Sequence, residues 1–378
     1  MVYSLTANET LTKLDFPVTL TFCRKIEVFC MVRVQLAELL QFTEACLTQA
    51  GASAEVAKAM AHSLVQGDLL GFRTHGVRRL PYNVKQLQAG RMKGSGEPQI
   101  LRRRAAIETW DAESLSGLYV APLAVQRAMS MARTAGTGTV VVKRCEHVAS
   151  LAAYLQQATD QGLLITMMAA TPAQASVAPH GARSPVFSPN PYGMGVPTRG
   201  APILLDMSFS MTAAGKVRQA YDRNERLPWP AIVSGSGEIT DNPADYIDGN
   251  GAILPLGGAD LGYKGYGLCL MSEIFTLGLS NYGRLQGAHD GEMNTLYVQV
   301  TDPEAFGTRD DFLAVTDDLL NRCRKAAAID PSEPVRIPGE RALALAEEQQ
   351  RTGVLLDELT WPRLQHLAKK LGMEIPTV

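Results

Sequence analysis

The stretch Arg73-Thr74-His75-Gly76-Val77-Arg78-Arg79-Leu80-Pro81 combines an imidazole, a glycine and guanidinium groups within a few positions. An imidazole titrates near neutral pH and can give or take a proton, while a planar guanidinium binds a carboxylate through two parallel hydrogen bonds. His75 and Arg79 therefore suit chemistry on a small carboxylic acid. Taken alone, the cluster equally fits a histidine that caps a helix beside solvated arginines, so its meaning depends on the rest of the chain.

Periodic apolar residues place this stretch between helices. The spacing predicts three helices, over residues 34–51, 53–71 and 80–90. His75 therefore lies in a corner between the second and the third of them. If Gly76 does not break the third helix, His75 and Arg79 share one of its faces, because residues four apart on a helix are neighbours.

The centre of the chain shows a different pattern. Its apolar runs predict a strand, a helix and a second strand, over residues 138–143, 150–160 and 163–169. This succession is a β-α-β unit. His147 follows the first strand and Thr171 follows the second. Open α/β sheets place ligands beyond the carboxyl ends of their strands, so both residues are candidates for a site.

Two longer segments further along have a distinctive composition. A proline-rich passage over residues 172–197 is typical of a loop that covers a site, and residues 222–252 carry the turn signals of a surface loop. Between them, the apolar run 203–207 predicts a strand that contains Asp206. This carboxylate could bind a ligand or simply cap the next turn.

A glycine-rich segment, Gly262-Tyr263-Lys264-Gly265-Tyr266-Gly267, is predicted to open an apolar helix over residues 268–279. Glycines before a helix expose backbone N–H groups to an anion, so with Lys264 this segment predicts a phosphate site; ordinary helix-start chemistry is the alternative. The chain has neither a G-x-x-x-x-G-K-[ST] motif nor a G-x-G-x-x-G motif between a strand and a helix. A Rossmann fold therefore has no support.

Length and composition limit the class of protein. A chain of 378 residues is longer than a single hydrophobic core usually supports. Its 46% apolar residues are typical of a globular protein, and its net charge of −2 lacks the basic excess of proteins that bind nucleic acid. Six cysteines without C-x-x-C spacing exclude a zinc finger and favour a reducing cytoplasm. No apolar run reaches the roughly 18 residues of a membrane span, so no membrane association is expected.

Read together, these motifs resemble the malate/L-lactate dehydrogenase type 2 family. This non-Rossmann group also contains ureidoglycolate and sulfolactate dehydrogenases, diketogulonate reductase and piperideine-2-carboxylate reductase. The resemblance covers roughly residue 31 to the C-terminus. It is carried by six segments in order, Arg73 to Pro81 with Gly90, Cys145-Glu146-His147, Ser188-Pro189-Asn190-Pro191 with Val196-Pro197-Thr198, Leu205-Asp206-Met207, Leu254 to Gly258 with Lys264-Gly265-Tyr266-Gly267, and Pro338-Gly339-Glu340.

The resemblance implies a fold that periodicity does not give. It implies an α/β protein with a mixed sheet, in which residues 31–104 and 302–378 form a helical domain and residues 105–301 bind a nicotinamide cofactor, NAD or NADP. Members are usually homodimers. Residues 1–30 show no clean periodicity and are interpreted as an extension.

The resemblance also implies roles for matching residues. His75 corresponds to the proton donor or acceptor, with His147 as a second imidazole, and Arg79 to the residue that binds the substrate carboxylate. Thr74 keeps the hydroxyl of the serine that many members carry. The residues in the family's cofactor-binding segments are Thr171, Asp206, Met207, Ser208, Lys264, Gly265, Pro338, Gly339 and Glu340. Arg78 lies outside the matching pattern and is interpreted as solvated.

Two departures from the family pattern matter: the first keeps the substrate open, and the second concerns the cofactor contact. Cys145-Glu146-His147-Val148-Ala149 stands where many members have Ser-Asn-His-Phe-Gly, so Glu146 adds a negative charge beside the pocket and Ala149 removes a glycine. Ser208-Phe209 replaces the common Ala-Thr.

The expected activity is hydride transfer between NAD(P) and a small 2-hydroxy or 2-oxo carboxylate, such as malate, lactate or a ureidoglycolate-like acid. A cyclic imino-acid reductase is the alternative, since it needs the same carboxylate binding. A metal-dependent hydrolase or lyase with His75, His147 and Asp206 as ligands is disfavoured, because these residues lack metal-ligand spacing, and no metal is expected. A non-catalytic binding protein is a further possibility. The other histidines are interpreted as structural or surface residues: His62, His180, His289 and His366.

Overall fold

The structure is a computed structural model that describes residues 31–286 and 292–378. The interpreted extension at residues 1–30 lies outside these ranges, and so does His289, which was interpreted as a structural or surface residue. The described helices are α1 (Leu36–Gln49), α2 (Ala54–Leu69), α3 (Leu80–Gln88), α4 (Gly117–Ala135), α5 (Ala152–Thr159), α6 (Ala214–Asp222), α7 (Ala244–Ile247), α8 (Gly258–Glu273), α9 (Arg309–Lys325), α10 (Glu340–Thr352) and α11 (Thr360–Leu371). The described strands are β1 (Val32–Val34), β2 (Gln99–Arg104), β3 (Ile107–Asp111), β4 (Thr137–Cys145), β5 (Leu164–Ala170), β6 (Pro191–Val196), β7 (Ile203–Ser208), β8 (Ile232–Val233), β9 (Ile239–Thr240), β10 (Ala252–Ile253), β11 (Asn294–Thr301) and β12 (Val354–Leu356).

A mixed seven-stranded sheet with the order β2-β3-β4-β11-β5-β6-β7 forms the centre of the fold. Strands β3 and β4 are parallel, and every other neighbouring pair of this sheet is antiparallel. The mixed α/β fold class is therefore confirmed. The predicted β-α-β unit needs a correction, because β11 pairs between β4 and β5 and separates these two parallel strands.

The main hydrophobic core runs from α1, α2 and α3 through α4 and α5 to the sheet. Apolar faces of α4 lie against β4 and β11, and Gly136 ends α4 with φ 78°, a left-handed conformation that glycine adopts readily. Strand β1 pairs with β12, and α11 packs against α3, so the first and the last elements of residues 31–378 contact each other. The division into a helical and a cofactor-binding domain stays a prediction.

Residues 222–252 are not only surface loop. They contain α7 and strands β8, β9 and β10 of a small three-stranded sheet, and Ile232 and Ile253 are fully buried in a second core. The proline-rich passage likewise contains β6. Strands β8, β9 and β10 were missed because strands of two residues show no periodicity. Strand β6 was missed because it carries Gly193 and Gly195 at positions where a side chain would clash with residues of α5 or β5, so the strand lacks an alternating apolar pattern.

The glycine-rich segment lies inside α8 rather than before it. This helix begins at Gly258, and Gly257 precedes it with φ 101°. A side chain at Gly265 would meet the backbone nitrogen of Leu256 at 2.3 Å, so this glycine permits close packing of the helix on the preceding turn. The predicted anion-binding loop before the helix is therefore wrong. Among the described residues, no helix is long and apolar enough to cross a membrane.

Candidate active site

The Arg73–Pro81 stretch forms two short 3-10 turns instead of the start of a helix. Residues Arg73–His75 and Val77–Arg79 make the turns, and α3 begins only at Leu80. Gly76 separates the turns with φ −89° and ψ −147°, so the condition under which His75 and Arg79 would share one helical face is not met.

Asp68 of α2 supports this stretch from below. Its carboxyl group is buried and accepts a hydrogen bond from the backbone N–H of Val77 at 2.6 Å. Burial raises the pKa of Asp68 to about 8, while the Val77 hydrogen bond opposes that rise. The sequence does not predict the supporting role of Asp68, because a single carboxylate on a helix does not indicate which backbone group it will contact.

Gly76→Ala is expected to disrupt this support. An added Cβ would lie 2.2 Å from the Asp68 carboxyl atoms, so the turn or the carboxylate must move. We expect a loss of about 1–3 kcal/mol in the free energy of unfolding, the usual scale for overpacking, together with a lower kcat. Urea unfolding and steady-state kinetics measure both effects. Gly90→Ala serves as the control for side-chain volume, since a Cβ there meets no atom within 4 Å, although its φ of 67° carries its own strain. Equal stability of Gly76→Ala and the unmodified chain would contradict the expectation.

Asp68→Asn is expected to remove a pH dependence of stability. The folded pKa of about 8 exceeds the ordinary value of 3.8, so this carboxyl group contributes stability that is complete below pH 3.8 and is lost as the pH rises towards 8. Between pH 7 and 8 the free energy of unfolding should fall in the unmodified chain and stay flatter in Asp68→Asn. Urea unfolding at these pH values tests this, and parallel curves would argue against a buried, protonated Asp68.

The structure brings His75 and His147 together. Their rings stack with centroids 5.6 Å apart and an interplanar angle of 18°. Burial lowers the pKa of His75 to about 4, and the charge of Arg79 adds to this. Burial also lowers the pKa of His147 far below its usual range, with Arg79 and His75 as further causes. Both imidazoles are therefore neutral at pH 7.

Local hydrogen bonds orient the two rings. The hydroxyl of Thr74 lies 2.8 Å from Nδ1 of His75, and the N–H of Ala149 donates to Nδ1 of His147 at 3.3 Å. Because Nδ1 of His147 accepts, its neutral ring carries the proton on Nε2. Ala149 has φ 57°, a left-handed conformation that costs a residue other than glycine about 1–2 kcal/mol.

Arg79 lies beside the histidines and forms an ion pair that the sequence did not predict. Its Nη2 donates to Oε1 of Glu292 at 2.6 Å, and its guanidinium lies 4.5 Å from the ring centroid of Tyr82. Within the described part of the chain, Nε of Arg79 is buried without a hydrogen-bond partner. Arg79 therefore keeps a donor for a further acceptor. Helical spacing from Arg79 could have suggested Tyr82, whereas no sequence signal indicates Glu292.

Glu146 adds a second carboxylate to this region. It is buried, and its Oε2 accepts the backbone N–H of Glu292 at 3.4 Å. Burial raises the pKa of Glu146 to about 7, and the nearby Glu292 adds to the rise. Gln174 donates to the other oxygen of Glu292 at 3.0 Å.

A cleft of about 270 Å³ joins some of the predicted cofactor residues. It is lined by Leu70, Phe72, Ala152, Leu204, Leu205, Asp206, Pro338, Gly339, Arg341 and Ala342. Asp206 accepts the N–H of Ala152 at 2.8 Å, and burial raises its pKa to about 6. Gly339 has φ 98°, and a side chain there would strike Leu204 at 2.8 Å.

Other predicted cofactor residues lie outside the lining of this cleft. Lys264 and Gly265 belong to α8, and the buried Thr171 donates to the carbonyl of Glu292. The remaining side chains contact other parts of the chain. Met207 packs on the second core, Ser208 contacts Ser210, and Glu340 pairs with Arg324. Arg78, interpreted as solvated, is half-buried.

The described residues offer no alternative metal centre. Across residues 31–286 and 292–378, no group of three or more His, Cys, Asp or Glu side chains is arranged to hold a metal ion. The stacked histidines and Asp206, which were considered as ligands, therefore do not meet in one cluster.

Comparison with known proteins gives one consistent family. The malate/L-lactate dehydrogenase family model matches residues 34–365. The malate/(S)-sulfolactate dehydrogenase of Methanothermus fervidus is 30% identical over 337 residues, which cover 87% of this chain and 95% of that protein. The Δ1-pyrroline-2-carboxylate/Δ1-piperideine-2-carboxylate reductase of Pseudomonas putida is 29% identical, with coverage of 90% and 98%. The solved malate dehydrogenase from Pyrococcus horikoshii OT3 superposes with a TM-score of 0.82 at 27% identity, with coverage of 91% and 97%.

Proposed function

Because the chain belongs to the malate/L-lactate dehydrogenase family and is a dehydrogenase of hydroxy acids, we propose that His75, His147 and Arg79 form its active site. The substrate is a small 2-hydroxy or 2-oxo carboxylate. The observation that carries the proposal is the stacked, neutral histidine pair beside a guanidinium with an unpaired buried nitrogen. These groups supply the two functions that such a reaction asks of the protein, proton transfer and carboxylate binding.

Arg79 orients the substrate. Its unpaired Nε offers a donor to a substrate carboxylate, and charge-assisted hydrogen bonds of this kind fix geometry as well as affinity. The ring of Tyr82 under the guanidinium restricts its movement. Holding the carboxylate places the neighbouring α-carbon at a defined position near the imidazoles.

His75 carries the proton. Its Nδ1 is engaged with Thr74, so Nε2 is the position that exchanges a proton with the substrate oxygen. A neutral ring with a low pKa is ready to act as a base when a hydroxy acid is oxidised. In reduction, the substrate's negative charge offsets that of Arg79 and thereby raises the pKa of His75, which favours the imidazolium. His147, with its proton on Nε2, donates to the same oxygen and orients it.

The family implies a nicotinamide cofactor, which supplies or accepts the hydride when bound. The cleft at Asp206 and Gly339 fits part of such a cofactor. Its apolar walls suit a flat base, and the Asp206 carboxylate, which has acceptor capacity beyond its bond to Ala152, suits a ribose hydroxyl. Thr171, Met207, Ser208, Lys264, Gly265 and Glu340 remain proposed contacts outside this cleft.

A substrate panel tests the proposal. Purified protein is incubated with 2-oxo acids and cyclic imines, each with NADH and with NADPH, and the loss of cofactor absorbance is followed. We expect turnover of at least one carboxylate with one of the two cofactors. Tight cofactor binding without turnover of any compound would instead indicate a binding protein. Turnover of a cyclic imine alone would establish the alternative, an imino-acid reductase, which the resemblance to the Pseudomonas putida enzyme supports.

We further propose that the protein is a homodimer. Helix α8, the following π-helical segment Ile274–Gly278 and the next residue expose apolar side chains at helical spacing: Leu261, Leu268, Met271, Phe275 and Leu279. Such a face is typical of a protein interface. Light scattering of the unmodified protein and of Leu268→Glu tests this, with a dimer expected only for the former.

A cytoplasmic location is proposed as well. The described cysteines Cys46, Cys145, Cys269 and Cys323 are free, as expected where thiols stay reduced.

A further inference from the structure

Two glutamates lie next to each other in the proposed substrate site, and one of them pairs with the Arg79 guanidinium. Arg79 contacts Glu292 at 2.6 Å, and Glu146 accepts the N–H of Glu292 at 3.4 Å. The side chain of Glu292 is only 13% exposed, and Glu146 is 1% exposed. Water therefore screens the Glu292 charge poorly, so its effect on a bound substrate is strong. Glu146, whose pKa burial raises to about 7, adds its own charge as the pH rises through neutrality.

Neighbouring cations in the described chain are engaged elsewhere. Arg284 pairs with Glu273, and Arg144 pairs with Asp111 at 2.7 Å. Arg91 donates to Gln86 and is exposed to solvent, and its charge acts on Glu146 more strongly than that of Arg79 does. Arg79 is consequently the cation that Glu292 and a substrate carboxylate must share, and its charge also acts on Glu146.

A substrate carboxylate that binds Arg79 changes the ion pairing of this site. It shares or displaces Glu292, which Gln174 still holds nearby through a 3.0 Å hydrogen bond. The displaced carboxylate then faces the bound substrate together with Glu146. A second carboxylate on that substrate would meet like charge, whereas a cationic group or a hydrogen-bond donor would meet complementary charge.

We propose that Glu292 and Glu146 determine specificity by substrate charge: they select a monocarboxylate that is otherwise neutral or carries a cationic group, and disfavour dicarboxylates. This inference rests on the proposed function. The proposed charge preference would give this chain a different substrate from relatives named for malate, which carries two carboxylates. The type of reaction would stay the same. Glu292 and Glu146 also suit an iminium carboxylate, because its positive nitrogen would lie near a glutamate carboxylate while its own carboxylate binds Arg79.

Kinetics of the unmodified enzyme give the first test. Oxaloacetate and 2-oxobutanoate have the same number of carbons, and a carboxylate in one replaces a methyl group in the other. Δ1-Piperideine-2-carboxylate supplies a cationic nitrogen. We expect kcat/KM for 2-oxobutanoate and for the cyclic imine to exceed that for oxaloacetate by about tenfold or more, the effect of one unfavourable charge contact. A value for oxaloacetate equal to or above both others would overturn the inference.

Two variants then assign the effect to the pair. Glu292→Gln and Glu146→Gln preserve shape and remove charge, and each should lower the preference against oxaloacetate by about tenfold. Glu348→Gln, a surface substitution at an ion pair with Arg33, is the matched control and should leave the ratio unchanged. If both site variants lower kcat/KM for all three substrates by the same factor, the pair is structural and the inference fails. If the unmodified protein reduces none of the three and no other 2-oxo acid or cyclic imine, the proposed function itself fails.

Discussion

His75→Ala is expected to lower kcat by about 10²- to 10⁴-fold in both directions, the usual contribution of general acid–base catalysis. The stacked partner His147 does not replace the lost proton carrier. Its Nδ1 accepts the N–H of Ala149, so its Nε2 already carries a proton and cannot accept another in oxidation. In reduction, transfer of that proton would leave an imidazolate, which is strongly unfavourable. The loss should appear in single-turnover rates as well as in steady-state kcat. An unchanged kcat would refute the assignment of His75.

The control for this substitution lies on α11. His366 is exposed there, so His366→Ala should keep full activity. Circular dichroism and urea unfolding should show that His75→Ala keeps its fold, since burial of the neutral ring involves no ion pair of its own. His147→Ala is informative beside it. A smaller fall in kcat than for His75→Ala supports an orienting role, and a larger fall would exchange the two roles.

Arg79→Ala is expected to weaken substrate binding by about 1.5–3 kcal/mol, the scale of hydrogen bonds to charged groups, or about 10- to 100-fold in KM. The structure predicts an additional penalty. Removal of the guanidinium leaves Glu292 without its ion-pair partner beside Glu146, so two poorly solvated carboxylates repel each other and the substrate. The effect on KM should therefore lie at the upper end of this range.

A double variant separates the two causes. Arg79→Ala combined with Glu292→Gln removes the guanidinium and the unpaired charge together. It should reverse the part of the KM increase that the unpaired Glu292 charge causes, but not the part that loss of the guanidinium itself causes. Arg78→Ala is the neighbouring control, because Arg78 lies outside the proposed site. If Arg79→Ala left KM unchanged for every carboxylate that the enzyme turns over, Arg79 would not bind the substrate carboxylate.

Local sequence signals predicted many elements and part of the site. The apolar run of β4, the helices on either side of Arg73–Pro81 and the apolar run of β7 were all recognisable, because burial of a whole strand or one helical face leaves a periodic pattern. Resemblance then supplied the order of the motifs, the family and the roles proposed for His75 and Arg79. The family, the fold class and the oxidoreductase activity are confirmed, whereas the individual site roles stay predictions.

Errors arose where a local motif has two meanings. Glycines near the start of α8 were expected to expose N–H groups to an anion, yet Gly265 lies within the helix and makes room for the backbone of Leu256. Gly76 was left open as a possible helix interior, and its contact with Asp68 shows why the helix starts later. A glycine in the sequence indicates that a side chain is disfavoured at that position, but the neighbouring atoms in the folded structure are needed to explain why.

Local residue patterns establish which chemical groups this protein has available: an imidazole and a guanidinium close together in one stretch, a second imidazole after a strand, and carboxylates at recognisable motifs. Which of these groups meet depends on the packing of the folded chain. Glu292 reaches Arg79 across a separation of 213 residues, and β11 enters the sheet between β4 and β5. Such contacts depend on the packing of the whole core, which no local pattern of residues encodes.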